Sequence, residues 1–136
     1  MKKRLAAFAA LVLSLLLLLS GCDSSSQHSL SYVGAGRRTL LEDYDCIAVF
    51  TQYTNNSGES AVPADFVSVK AYQNGVELNI LVPTGQRLEG AVPCDSSVQS
   101  GASANVVWFF QLDDASDVSI EMSGSEPFSL SLAELN

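Results

Sequence analysis

The chain has 136 residues, with 7 lysines and arginines, 15 aspartates and glutamates, and 1 histidine. Lys2, Lys3 and Arg4 open it, so beyond residue 21 only Arg37, Arg38, Lys70 and Arg87 stand against all 15 acids, a net charge of −11. Such a body has no basic patch able to neutralise several phosphates, which excludes nucleic acid as a partner. A single histidine excludes a multi-histidine metal site.

The first element is a leader. Three cations precede an apolar stretch over residues 5–19, and Leu19-Ser20-Gly21-Cys22 follows. This is the layout of a secretory signal. The stretch is too short for a retained span, which needs about twenty apolar residues, and a polar run starts at Asp23. Residues 1–21 are therefore read as a signal peptide, helical in its apolar part, and excluded from the fold. The last four residues match the lipobox of bacterial lipoproteins. Leu19, Ser20 and Gly21 are then the signal-peptidase recognition residues, and Cys22 receives the diacylglyceryl thioether. Anchoring rests on acyl chains such as palmitate, at least two of which give stable attachment where one does not.

Residues 22–34 are serine-rich and poor in large apolar side chains, which predicts a flexible tether. Ten residues of coil span roughly 17 Å, so the domain stays near the bilayer. His28 falls in this tether and reads as a solvated linker residue.

Residues 35–136 suffice for one domain. Its periodicity is two throughout, with a first strand near residues 39–41. Ile47, Val49, Thr51 and Tyr53 alternate with Ala48, Phe50, Gln52 and Thr54, and Asn55-Asn56-Ser57-Gly58 ends the strand as a turn. Asn55-Asn56-Ser57 also matches a glycosylation acceptor, which carries little meaning in a bacterium.

Asn74-Gly75 is a two-residue hairpin signal. It predicts that Gln73 faces Val76, Ala71 faces Leu78, Val69 faces Ile80 and Val67 faces Val82 on the apolar side. Lys70 faces Asn79 and Tyr72 faces Glu77 on the other. Residues 104–112 are apolar on both faces, as in a central strand; Trp108, Phe109 and Phe110 there read as core in preference to a sugar-stacking platform. Val118, Ile120 and Met122, then Phe128, Leu130 and Leu132, mark two strands with one wet face each. The fold class is all-β, an antiparallel immunoglobulin-like β-sandwich of about seven strands, although Trp108 lies after both cysteines and the Cys-Trp-Cys order of true immunoglobulin domains is absent.

Cys46 and Cys94 remain after Cys22 is assigned to lipid, and an oxidising compartment predicts a disulfide between them. Closing a loop of about fifty residues would stabilise by roughly 4 kcal/mol in the chain-entropy model. Asp113, Asp114 and Asp117 offer oxygen ligands of the kind calcium takes. The twelve-residue loop with its terminal glutamate is missing, so the run reads as a turn and no metal is assigned. Glu42, Asp43 and Asp45 read as a solvated loop.

Several local pieces carry a resemblance. They are Asp43-Tyr44 leading into Ile47-Ala48-Val49, the strand end from Tyr53 to Ser57, the stretch from Ala71 to Leu78, and Ser100-Gly101-Ala102-Ser103 before a long apolar strand closing with Leu112-Asp113-Asp114. Over roughly residues 35–132 the chain resembles a family of exported Gram-positive lipoproteins described as a domain of unknown function, telokin-like and immunoglobulin-like. It departs at Ser100, where the family pattern places proline. The resemblance implies the fold and a cell-surface location and brings no catalytic residues.

The expected function is that of a lipid-anchored protein on the extracytoplasmic face of the cell membrane, a non-enzymatic binding or interaction module without a cofactor. Its partners are the membrane, through the anchor, and an unidentified protein or peptide. The alternative is an accessory lipoprotein assisting an exported enzyme or envelope maintenance. An enzyme built on the Asp113 and Asp114 pair is the third class.

Overall fold

β-branched and aromatic side chains fit a pleated, half-buried surface, and residues 44–55 and 103–111 supply them in two long runs that pair with each other. The computed structural model describes residues 26–40, 43–83 and 87–135; the leader with Leu19, Ser20 and Gly21, the lipid site Cys22 and Glu42 lie outside the described residues. Among the described residues the elements are β1 (His28–Leu40), β2 (Tyr44–Asn55), one helical turn α1 (Pro63–Phe66), β3 (Val69–Gln73), β4 (Val76–Glu77), β5 (Ile80–Leu81), β6 (Val92–Pro93), β7 (Ser103–Gln111), β8 (Val118–Met122), β9 (Phe128–Leu130) and a 3-10 turn, Leu132–Glu134.

The strands form two sheets. The larger runs β1-β2-β7-β5, with β6 also on β7; the smaller runs β4-β3-β8-β9. All pairings are antiparallel except β6 with β7. β5 meets Phe109 and Phe110 while β6 meets Val106 and Val107, so the two short strands share one edge of β7 end to end. The fold is thus the all-β sandwich the alternation implies, with nine strands in place of about seven.

Ile47, Val49 and Tyr53 of β2 and Val106, Trp108 and Phe110 of β7 face Val69, Ala71, Val118, Ile120 and Met122 of the smaller sheet in one core. At one flank the Tyr32 and Phe128 rings, 4.8 Å apart, join β1 to β9. At the other flank the chain itself passes from β4 to β5. A polar bridge lies between the two long strands in the core: the Thr51 hydroxyl donates to the Val106 carbonyl at 3.1 Å and accepts from the Trp108 indole N–H at 3.0 Å.

Two expectations change here. Residues 28–34, expected as part of a tether, are strand, and β1 spans far more than residues 39–41. An edge strand needs only one partner. Backbone pairing from His28 with Asn55 to Leu40 with Tyr44 holds β1 to β2, and Leu30 alone of its first turns reaches the core. The ladder shifts between Tyr32 and Gly34, which leaves Val33 as a bulge.

The hairpin keeps its predicted register only near the turn. Asn74 and Gly75 have the left-handed φ values of 51° and 78° that a primed turn needs, Gln73 pairs with Val76, Tyr72 with Glu77, and the Leu78 N–H donates to the Ala71 carbonyl at 2.8 Å. Ile80 then pairs with Phe110 instead of Val69, and Val82 does not reach Val67. The free edge of β7 captures the strand after Leu78.

Replacing Thr51 with valine conserves shape and removes both hydrogen bonds. The buried Trp108 N–H is then unpaired, a cost of about 1–3 kcal/mol. Urea unfolding of Thr51→Val is expected to show a lower midpoint at an unchanged slope.

Candidate functional site

β7 is apolar on both faces, and its outer face would be wet in a plain sandwich. Burying a phenylalanine or valine stabilises by about 1.5–3 kcal/mol, so that face is covered. Val107 and Phe109 pack with Cys46, Ala48 and Ala91, and Leu40, Phe50, Leu81 and Leu88 close over them. The cover ends in a tight turn over residues 88–91. Leu88 and Ala91 exchange backbone hydrogen bonds of 3.1 and 2.9 Å, with Glu89 and Gly90 at the tip at φ values of 52° and 82°.

Between this turn and the β1 bulge lies a cavity of about 320 Å³. Its apolar part is Val33, Gly34, Phe50 and Ala91; its polar groups include Arg38, Glu89 and Asn105. The Arg38 guanidinium folds back over Gly36, where a Cβ would lie 2.6 Å from Nη1, so only glycine lets it lie there. Nη1 donates to the Arg37 carbonyl at 2.8 Å and Nη2 to Glu89 Oε1 at 2.5 Å. Glu89 holds a left-handed conformation that costs a residue with a side chain about 1–2 kcal/mol. Its ion pair with Arg38, whose side chains are 28% and 57% exposed, contributes no more than about 1 kcal/mol.

The residues singled out in the sequence do not converge on this cavity. Cys46 and Cys94 are both free and buried, which corrects the expected disulfide. The reason is topological: Cys46 points into the outer cluster and Cys94 into the inter-sheet core. Desolvation, with neighbouring Asp45 and Asp95 respectively, pushes each thiol up to about 11. His28 is also corrected from a solvated linker residue. It begins β1, its Nδ1 is hydrogen-bonded to the Tyr53 hydroxyl at 2.7 Å, and its ring stacks on Phe66 at 4.0 Å.

The run from Asp113 to Asp117 is a pinned turn. Buried Gln73 donates to the Asp114 and Ser116 carbonyls at 3.0 and 2.8 Å and accepts from the Asp113 N–H at 2.8 Å. Asp114 accepts from the Ser116 hydroxyl and N–H and from the Asn74 amide, and these bonds, the Ser116 hydroxyl first, hold its carboxyl below the usual carboxylate range. Among the described residues no three His, Cys, Asp or Glu groups are placed to hold a metal ion. Asp45 forms a two-point pair with Arg37, which lowers its carboxyl likewise. Trp108, Phe109 and Phe110 are all buried. The Asn55 side chain is fully buried and donates to the Glu59 and Val98 carbonyls, so it is closed to glycosylation in the folded state.

Sequence reasoning missed the cavity residues Gly34, Arg38, Phe50, Glu89 and Asn105, and Gly36 beneath the Arg38 guanidinium. It missed Gln73 as well, although a glutamine on the apolar side of a strand is a visible signal. A second cavity of about 370 Å³ lies at the His28 and Phe66 end, beside Ser57, Glu59 and Ser60, and holds no paired charges.

Fold and site define an all-β sandwich whose larger sheet is covered on its outer side and bears a small charged cavity there. The chain belongs to the family described as Domain of unknown function (DUF5067), which matches residues 30–124. No curated protein and no solved structure matches it.

At pH 8 a thiol with a pKa of about 11 is ionised to about one part in a thousand. A Cys22→Ala chain is expected to resist a disulfide reagent when native and to release two thiols in denaturant without reductant. None released would restore the bridge.

Proposed function

We propose that this protein is an exported lipoprotein of Gram-positive type, held on the extracytoplasmic face of the membrane through Cys22 and acting there as a non-enzymatic binding module with a telokin-like, immunoglobulin-like body. The observation that carries the reading is the sequence Leu19-Ser20-Gly21-Cys22 at the end of a short apolar leader. The start of β1 at His28 supports it. Only five residues, 23–27, separate the lipid site from the sandwich, a reach of at most about 21 Å over six fully extended steps, so the body stands beside the headgroups.

The absence of catalysis is part of the same proposal. The chain's one histidine is engaged by Tyr53 and Phe66, and the two thiols in the body are buried. The Asp114 carboxylate is engaged within its own turn. The outer cavity, with its opposed charges and apolar floor, is the place for a ligand.

Fractionation of cells tests the anchor. Wild type is expected in the envelope fraction with acyl chains on Cys22, and Cys22→Ala in the soluble exported fraction. Equal envelope retention of both, unacylated, would contradict the proposal.

A further inference from the structure

We propose that Asn74 is a self-modifying site: its carboxamide deamidates through the Gly75 nitrogen when the hairpin turn opens, and Asp114 and Ser116 hold it shut while the turn is closed. The modification goes beyond the binding-module reading and is independent of it.

The chemistry needs one neighbouring nitrogen and solvent water. The Gly75 backbone nitrogen gives up its proton and attacks Asn74 Cγ. A new N–C bond closes a five-membered succinimide, and the side-chain nitrogen leaves as ammonia, carrying a proton. Water then opens the ring at either carbonyl, to aspartate or to its β-linked isomer, so one amide and one water become one carboxylate and one ammonium ion. A side chain on the attacking residue would crowd this step, and Asn74 is the one asparagine of the chain that glycine follows. Asn74 and Gly75 are both exposed, with left-handed φ values of 51° and 78°. The Gly75 N–H has no hydrogen-bond partner among the described residues. The nucleophile is therefore free, and water has access.

The closed turn restrains the other reactant. Asn74 Nδ2 donates to Asp114 Oδ2 at 2.9 Å and to Ser116 Oγ at 3.2 Å, so Cγ cannot swing onto the Gly75 nitrogen without breaking both bonds. Donation to a carboxylate also pushes electron density into the amide, which makes Cγ a poorer electrophile and the nitrogen a poorer leaving group. Asp114 is itself fixed. Its carboxylate accepts from the Ser116 N–H at 2.8 Å and from the Ser116 hydroxyl, while buried Gln73 holds the Asp114 and Ser116 carbonyls. The restraint thus reaches Asn74 from 40 positions away in the sequence and is fastened to the core.

Opening would be one-way. The product carboxylate has no N–H to donate and faces the Asp114 carboxylate, and like charges sharing a site oppose each other. Aspartate tolerates the left-handed backbone as asparagine does, so the loss falls on the contact between the two turns and leaves the hairpin geometry itself available.

The test follows deamidation of the purified mature chain at pH 8 in the tryptic fragment 71–87, which Lys70 and Arg87 delimit, with the site located by fragmentation. Native protein is expected to react at least about tenfold more slowly than the same chain in urea, and Gly75→Ala in urea to slow the reaction. Asp114→Ala and Ser116→Ala should each speed the native reaction at least about threefold, since a hydrogen bond to a charged group is lost in both. Thr51→Val weakens the whole fold without touching the turn and is expected to leave the native rate unchanged. Asn74→Asp should melt below wild type, and the difference should shrink in 1 M salt, where screening is strong. Equal native and denatured rates, no acceleration in Asp114→Ala and Ser116→Ala, or acceleration by Thr51→Val as large as theirs would each overturn the proposal. So would a reaction at Asn79 in place of Asn74, or an Asn74→Asp chain as stable as wild type.

Discussion

One strand sets the constraint on which the rest depends. β7 carries large apolar side chains on both faces, and a two-layer sandwich can cover only one of them. Trp108 and Phe110 are spent on the inter-sheet core, while Val107 and Phe109 require a second cover that the sheets do not provide. The chain meets the requirement by leaving the smaller sheet after Leu78, pairing Ile80 and Leu81 along β7, and laying Leu88 and Ala91 over its outer face. The cavity beside Arg38 follows from that cover. It is the space left where the turn stops short of the bulged, glycine-rich part of β1.

Polar groups inside the sandwich act as fasteners, each satisfying backbone or side-chain atoms that burial would otherwise leave unpaired. Thr51 joins β2 to β7 across Trp108. Asn55 ties the turn after β2 to the segment before β7, through the Glu59 and Val98 carbonyls. Gln73 fastens the acidic turn before β8. All three are buried, and among the described residues no buried side-chain nitrogen or oxygen lacks a partner. That gives the aspartate run its rigid shape and explains it as structure.

Much of this was legible in the sequence because alternation is local. The faces of β2, β7 and β8 and the turn at Asn74-Gly75 follow from side-chain type and spacing alone. What was not legible depends on competition between distant edges. Nothing near Ile80 says that β7 offers a better partner than Val69. Nothing in the serines of residues 29–31 says that an edge strand can be held by its ladder without an apolar face. The two thiols seemed ready to pair because cysteine counting is blind to which side of a sheet each one faces. The cavity was the least legible feature, since it arises from a bulge at Val33, an absent side chain at Gly36 and one left-handed residue at Glu89, none of which has a periodic signature.

The two-faced role of β7 is tested most directly by comparing Phe109→Ala with Phe110→Ala in equilibrium unfolding. Both rings are 2% exposed, on opposite faces of the same strand. A covered outer face predicts similar losses, each about 3–5 kcal/mol, as for truncation of a core phenylalanine. A loss for Phe109→Ala below about 0.5 kcal/mol, the scale of a surface substitution, beside a full loss for Phe110→Ala would show that the outer face is open and that the cover, with the cavity beside it, does not exist.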